Sequence, residues 1–198
     1  MSLGRFDVAP LGNTQYQQVV SRQVFSPRDC DQVVAGLAGA DWTAAGITAE
    51  GSTSAAYDNK VRSAMLQKLP CDDSWPFAEL VEAVGAVNSE VYRFELSGVY
   101  DSDAPSVARY RAEESDHFRP HQDAGGAHCR RKLTYVVQLS DGDAYTGGDL
   151  LIKDGGIVAP REQGTLIVFP STLFHVVSPV IQGVRHALVG WIHGPTIA

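Results

Sequence analysis

From Glu95 onward, short apolar runs alternate with turn residues, and this rhythm constrains the fold more than any other feature of the chain. The runs are FELSGVY, SVARYR, KLTYVVQL, DLLIKD, TLIVF, FHVVSPV and VRHALVGWI, each of strand length. Asp141-Gly142, Gly147-Gly148, Asp154-Gly155-Gly156 and Gln163-Gly164 mark turns between them. Many short strands at this spacing predict an all-β sandwich or barrel.

The first half reads differently. Tyr16 to Phe25 has the texture of a strand. Ser26-Pro27-Arg28-Asp29 then starts a helix: Ser26 caps it, Pro27 takes the first helical position, and Asp29 complements the dipole. Val33, Val34 and Leu37 follow at helical spacing, and Gly39 can end the helix. Ala44 to Asn59, rich in Gly, Ser, Thr and Ala, reads as a long loop, either a surface excursion or a lid over a pocket. Trp75 to Phe94 reads as a second helix with Phe77, Leu80, Val81, Val84 and Val87 in one apolar stripe. The expectation is one α+β, mainly β domain over 1–198: helical support over about 16–94 and a double-stranded β-helix (jelly roll) over about 95–194, with the helices packed on one sheet.

Composition narrows the partners. The formal net charge is −7, from 16 Lys and Arg against 23 Asp and Glu. Nucleic acid is therefore not expected, because phosphate binding needs clustered cations; the one compact basic patch is Arg130, Arg131 and Lys132. Cys30, Cys71 and Cys129 include no CxxC pair, which predicts neither a disulfide framework nor a zinc finger. The opening MSLGRFDVAP is not a secretory leader, and no apolar stretch approaches the ~20 residues that span a bilayer. A cytoplasmic location without a membrane partner is expected. Oligomeric state is not legible.

The chemistry concentrates in three places. In an extended segment, His121 and Asp123 point to one side and can address one metal ion. Alone this pair is a weak signal. His175 lies on an expected strand in TLFHVVSPV, and Arg185 follows ten residues later in GVRHALVGW. Two His and one carboxylate on one face of a metal form the facial triad of non-haem iron(II) oxygenases, which leaves coordination positions open. A 2-oxo acid co-substrate ends in a distal carboxylate that needs a permanent cation, and an Arg fork meets it with two hydrogen bonds.

The run from Arg109 to Trp191 resembles the prolyl 4-hydroxylase type of 2-oxoglutarate/Fe(II)-dependent dioxygenase. The matching residues, in order, are Tyr110, His121 with Asp123, Arg131 with Thr134, Gly147-Gly148-Asp149, Gly164 through Phe169-Pro170, His175, Pro179-Val180, Gly183 with Arg185, and Trp191. The segments FSPRDC, VRSAML and WPFAELVEAVGAVN extend the likeness over the first half. The resemblance implies that His121, Asp123 and His175 are the catalytic metal ligands. It implies that Arg185 binds the distal carboxylate of 2-oxoglutarate, that Tyr110 donates to the co-substrate, and that Thr134 points into the barrel near the same carboxylate. Two departures stand out: Gln138 where some relatives carry Tyr, and Ala187 where many carry Ser or Thr.

The implied activity is hydroxylation of an unactivated C–H of a small-molecule or amino-acid-derived substrate, with dioxygen consumed and ascorbate a stimulant. Asp123 argues against a halogenase, which lacks the carboxylate ligand. The alternatives are a peptidyl or protein prolyl hydroxylase and, from another class, a non-enzymatic cupin-like metal-binding module. His117 is expected not to ligate. His128, His186 and His193 are expected at the surface or in supporting roles, and Trp191 in packing.

Overall fold

The computed structural model describes residues 14–48, 55–72 and 74–196. Its first half carries β1 (Val20–Gln23), α1 (Pro27–Ala35), β2 (Thr43–Ala44), β3 (Ile47–Thr48), β4 (Ala55–Ala56), β5 (Arg62–Ser63), β6 (Met65–Lys68) and α2 (Phe77–Val87). Then follow β7 (Ser106–Arg111), β8 (His117–His121), β9 (Arg131–Gln138), β10 (Thr146–Gly147), β11 (Leu150–Ile152) and β12 (Ile157–Val158). The chain closes with β13 (Thr165–Pro170), β14 (His175–Val177), β15 (Val180–Gln182) and β16 (Val184–His193).

The structure is mostly β with few helices, and its described strand pairs are antiparallel. A seven-stranded sheet runs β1-β13-β9-β16-β7-β6-β2, and a five-stranded sheet runs β12-β11-β14-β8-β5. Period-two alternation sorts the larger sheet's side chains between two cores. Leu133, Tyr135 and Val137 of β9, with Leu166 and Val168 of β13, join Cys30 and Val33 of α1 and Leu80, Val84 and Val87 of α2. The alternate residues Val136, Ile167, Phe169, Tyr110 and Ala187 pack instead with Leu150, Ile152 and Val177 of the smaller sheet. The second core holds the candidate site.

Ser26 caps α1 as the sequence predicts, and the Asp29 side chain bonds back to the Ser26 amide to complete a capping box. Turn chemistry also holds at Gly164: with φ +85° its amide donates to Gln138, and an added Cβ would fall 1.9 Å from the carbonyl oxygen of Phe25.

Several boundaries differ from the sequence reading. The first strand shrinks to Val20–Gln23, after a 3-10 turn at Thr14–Gln17. α1 stops at Ala35, and α2 covers only Phe77–Val87 before a π-helical turn at Asn88–Tyr92. FELSGVY is not a strand; it contributes one isolated bridge, Gly98 to His193. FHVVSPV divides, because β14 pairs with β8 and β11 whereas β15 pairs with β10. The loop expected over Ala44 to Asn59 contains the β3–β4 ladder, and residues 49–54 lie outside the described residues. Strands of two to four residues carry too little periodicity to read; β5 and β6 exist because β8 and β7 offer them partners.

Candidate metal centre and active site

His121 ends β8 and His175 begins β14, and the two face each other in register. Asp123 lies two residues past the end of β8, so the turn and not a continuous strand aims it. That turn is tied down: the backbone amides of Asp123 and Ala124 both donate to the Ser171 carbonyl at 2.9 Å. Ligand atoms of His121, Asp123 and His175 all lie within 4.8 Å of one another, a donor set able to hold a metal ion. His121 Nε2 is 3.7 Å from one Asp123 carboxylate oxygen and His175 Nε2 is 3.3 Å from the other.

Both imidazoles are oriented from behind. Nδ1 of His121 meets the Arg119 carbonyl at 2.8 Å, and Nδ1 of His175 meets the Leu173 carbonyl at 3.0 Å. A carbonyl only accepts, so Nδ1 carries the proton and Nε2 presents its lone pair to the metal position. Burial, reinforced by His175, pushes the His121 pKa down to about 3, which keeps it a neutral donor. Burial would raise the Asp123 pKa, but the two histidines outweigh it and hold the carboxyl well below its usual range. For His175 burial works downward and the Asp123 charge more than reverses it. A divalent cation placed among the three would take over that proton's role.

Thr134 sits where its sequence role has to be revised. It faces the cavity, but its hydroxyl donates to Asp123 Oδ2 at 2.7 Å and lies 2.9 Å from the Ser171 hydroxyl. It therefore orients the Asp123 carboxylate and has no donor left for a distant carboxylate. Thr134→Val keeps the volume and loses the bond; metal affinity is expected to fall by about 10-fold or more, the range for such supporting contacts. Mn(II) titration checks this. A raised 2-oxoglutarate requirement with unchanged metal affinity would return Thr134 to the co-substrate.

Arg131 supports Asp123 from the other side. Its guanidinium donates to the Asp123 carbonyl at 3.3 Å, forks onto Asp103 at 2.6 and 2.5 Å, and stacks 3.6 Å over the Trp191 ring. His193 adds a 2.9 Å contact to Asp103 and is 4% exposed, so it is a buried partner and not a surface residue. Neither the Arg131–Asp103 fork nor the role of Ser171 was legible in the sequence, because each bond spans a large separation along the chain.

The remaining predicted residues line the same cavity of about 360 Å³, among them Tyr110, Arg185, His128 and Trp191. Arg185 of β16 stands opposite Tyr110 of β7 in register, its guanidinium 5.4 Å from the tyrosine ring. It is 1% exposed. Its one side-chain bond runs from Nη2 to Gln138 Oε1 at 2.9 Å, while the Gln138 amide nitrogen is anchored on the Pro160 carbonyl. Arg185 Nε is buried without a partner, and among the described residues no carboxylate pairs with this cation. A buried charge left so calls for an anion. Gly148 permits the arrangement: at φ +64°, a Cβ there would lie 3.2 Å from Arg185 Cδ and 2.9 Å from Val180. His117 binds the Ser115 carbonyl and stays outside the donor group, and His186 packs 6.1 Å from the Trp42 ring.

Residues 105–193 match the 2OG-Fe(II) oxygenase superfamily. That segment is similar to the proteins of this superfamily. A PKHD-type hydroxylase of Synechococcus sp. (strain CC9605) is 41% identical over 66 residues, covering 32% of this chain and 30% of the relative. PKHD-type hydroxylase YbiX of Escherichia coli O17:K52:H18 (strain UMN026 / ExPEC) is 28% identical over 180 residues, covering 85% and 75%. The chain thus spans under a third of the first relative's length and three quarters of the second's. A Trichoplax adhaerens prolyl hydroxylase, solved with a hypoxia inducible factor oxygen degradation domain peptide fragment, superposes with a TM-score of 0.70 at 17% identity, covering 91% and 86%. At that identity the likeness concerns the fold. The family implies Fe(II) and 2-oxoglutarate, and the residues present fit both: two imidazoles and a carboxylate for the metal, an unpaired buried guanidinium for the distal carboxylate.

Proposed function

We propose that this chain is an Fe(II)- and 2-oxoglutarate-dependent hydroxylase acting on a small-molecule or amino-acid-derived substrate. His121, Asp123 and His175 hold the metal, Arg185 grips the distal carboxylate of 2-oxoglutarate, and Tyr110 donates to the co-substrate from the same wall. The two facing sheets form a single jelly-roll domain with the helices on its outer face. The observation that carries the reading is Arg185, buried and lacking a counter-charge in the cavity that holds the donor triad. A cupin-like module that merely bound metal would have no use for that cation. Prolyl hydroxylation of a peptide is the second reading, favoured by the fold it shares with the peptide-bound Trichoplax enzyme.

When bound, iron(II) would let dioxygen act as the oxidant: 2-oxoglutarate would supply two electrons as it loses carbon dioxide to become succinate, which takes one oxygen atom, and the C–H would supply the other two as it becomes C–OH with the second oxygen atom. The chain's own part is positional. His121 and His175 would present Nε2 to the metal in tautomers set by the carbonyls behind them, and the Asp123 carboxylate, oriented by Thr134, would be the third protein ligand. Val136, Leu150, Val177 and Val189 give the cavity apolar walls, which limit water at the reacting centre.

The test is succinate formation from 2-oxoglutarate with Fe(II) and ascorbate, over a panel of small acids, amino acids and prolyl peptides. Absence of 2-oxoglutarate binding and of succinate across the panel would overturn the reading. Asp123→Gly is expected to weaken metal binding and lower hydroxylation by orders of magnitude, since a favourable oxygen ligand and a negative charge are both lost. Halogenated product is not expected to follow automatically, because transfer also depends on where the substrate C–H points. Asp116, the nearest other carboxylate along the chain, is fully buried and bound to Ser63 and Arg111, so it has no freedom to replace Asp123. Wild-type turnover in Asp123→Gly would remove Asp123 from the ligand set.

A further inference from the structure

Arg62 is a second cation at the cavity, and the catalytic reading does not use it. It belongs to β5 and stands in register with Phe118 of β8. Its guanidinium lies 4.4 Å over the Phe118 ring, and that ring stacks on His121 with centroids 3.4 Å apart. Arg62 is therefore carried one aromatic layer away from the metal-binding imidazole. Among the described residues its Nε is buried without a partner, and its one side-chain hydrogen bond is a long contact, 3.4 Å from Nη1 to the Gly46 carbonyl.

A charge tally over the cavity walls isolates this residue. Three arginines line the cavity: Arg62, Arg131 and Arg185. Arg131 is neutralised by Asp103. Arg185 is assigned to the co-substrate. Asp123 is the sole acid among the lining residues, and it lies in the metal donor set. Arg62 thus has no carboxylate partner among the described residues. A neutral carbonyl would satisfy an N–H and leave the charge uncompensated; a carboxylate answers both, through short charge-assisted bonds in a site partly shielded from water. The cavity, at about 360 Å³, lies near the low end for ligand sites and must also admit 2-oxoglutarate, so the second guest is small.

We propose that Arg62 recognises a carboxylate on the substrate, so that the cavity selects a small organic acid. This inference rests on the oxygenase reading of the site and narrows its substrate class. Phe118 fixes the fork over the approach to the metal, and the acid's carboxylate end is held there while its carbon chain extends toward His121 and His175.

The test titrates matched probes into protein loaded with Mn(II) and N-oxalylglycine, which mimics 2-oxoglutarate without turnover. The probes are free L-amino acids and small carboxylic acids, each with its carboxamide, plus Asp and Glu dipeptides blocked at both ends. At least one acid is expected to bind wild type about 30-fold more tightly than its amide, the scale of a charge-assisted pair. Arg62→Gln should bring acid and amide to equal affinity, and Arg62→Lys should restore part of the preference. Binding of the blocked dipeptides would identify a side-chain carboxylate as the source; binding of the free acids alone, a main-chain one. Either keeps the proposal. Equal affinity of acid and amide for wild type, no acid binding at millimolar concentration, or an acid preference that survives Arg62→Gln overturns it. Failure of wild type to bind N-oxalylglycine would instead count against the oxygenase reading.

Discussion

Neither His121→Ala nor His175→Ala will form succinate from 2-oxoglutarate above the protein-free background. Each removes an Nε2 that the backbone behind it holds in place, through the carbonyls of Arg119 and Leu173. Asp123 and a single imidazole leave the metal with two protein ligands, and divalent affinity collapses with the loss of preorganised donors. The fold should survive. Both side chains face the cavity, so truncation enlarges an existing space and does not open a void in a packed core. For His175→Ala, Asp123 also loses the neighbour that most strongly favours its charge, which makes the carboxyl easier to protonate. Circular dichroism and Mn(II) titration separate loss of metal from loss of fold. Succinate formation persisting in either variant would require a different ligand set.

Arg185→Ala will raise the 2-oxoglutarate requirement by about 100-fold or more, because losing one partner of a buried charge pair costs several kcal/mol. Its effect on stability has an unusual sign. In the absence of co-substrate the wild type keeps a buried guanidinium with an unpartnered Nε and, among the described residues, no counter-charge. Replacing Arg185 with Met retains much of the packing and removes that burden, so the ligand-free protein should melt no lower than wild type. What disappears is the stabilisation by 2-oxoglutarate, which for wild type at 100 times Kd amounts to about 2.7 kcal/mol. Thermal melts with and without 2-oxoglutarate read both effects. An undiminished ligand-induced shift in Arg185→Met would place the co-substrate elsewhere.

The three arginines of the cavity play contrasting parts. Arg131, stacked on Trp191 and forked onto Asp103, is internally neutralised and acts as structure under the Asp123 turn. Among the described residues Arg185 and Arg62 are left without carboxylate partners, and charge left uncompensated at a cavity wall points to ligands.

The sequence by itself determined the elements whose signals are local. The Ser26 cap, the turn at Gly164, the long strands β9, β13 and β16, and the spacing of His121, Asp123, His175 and Arg185 could all be read along the chain. Alternation over six to ten residues is strong enough to show which side chains share a face. Only the tertiary structure decided the rest. β5 and β6 are too short to carry a pattern, and they form because partner strands supply their hydrogen bonds. The apolar run FELSGVY looked like a strand but makes only one bridge, since an apolar sequence pairs only where an edge is free. The family resemblance implied that Thr134 points into the barrel. That its hydroxyl meets Asp123, and that Arg62 arrives over Phe118 beside the metal position, depends on strands brought together from distant parts of the chain. Side-chain direction is a local property of the backbone; which groups meet, and which charges are left without partners, is settled only when the sheets pack.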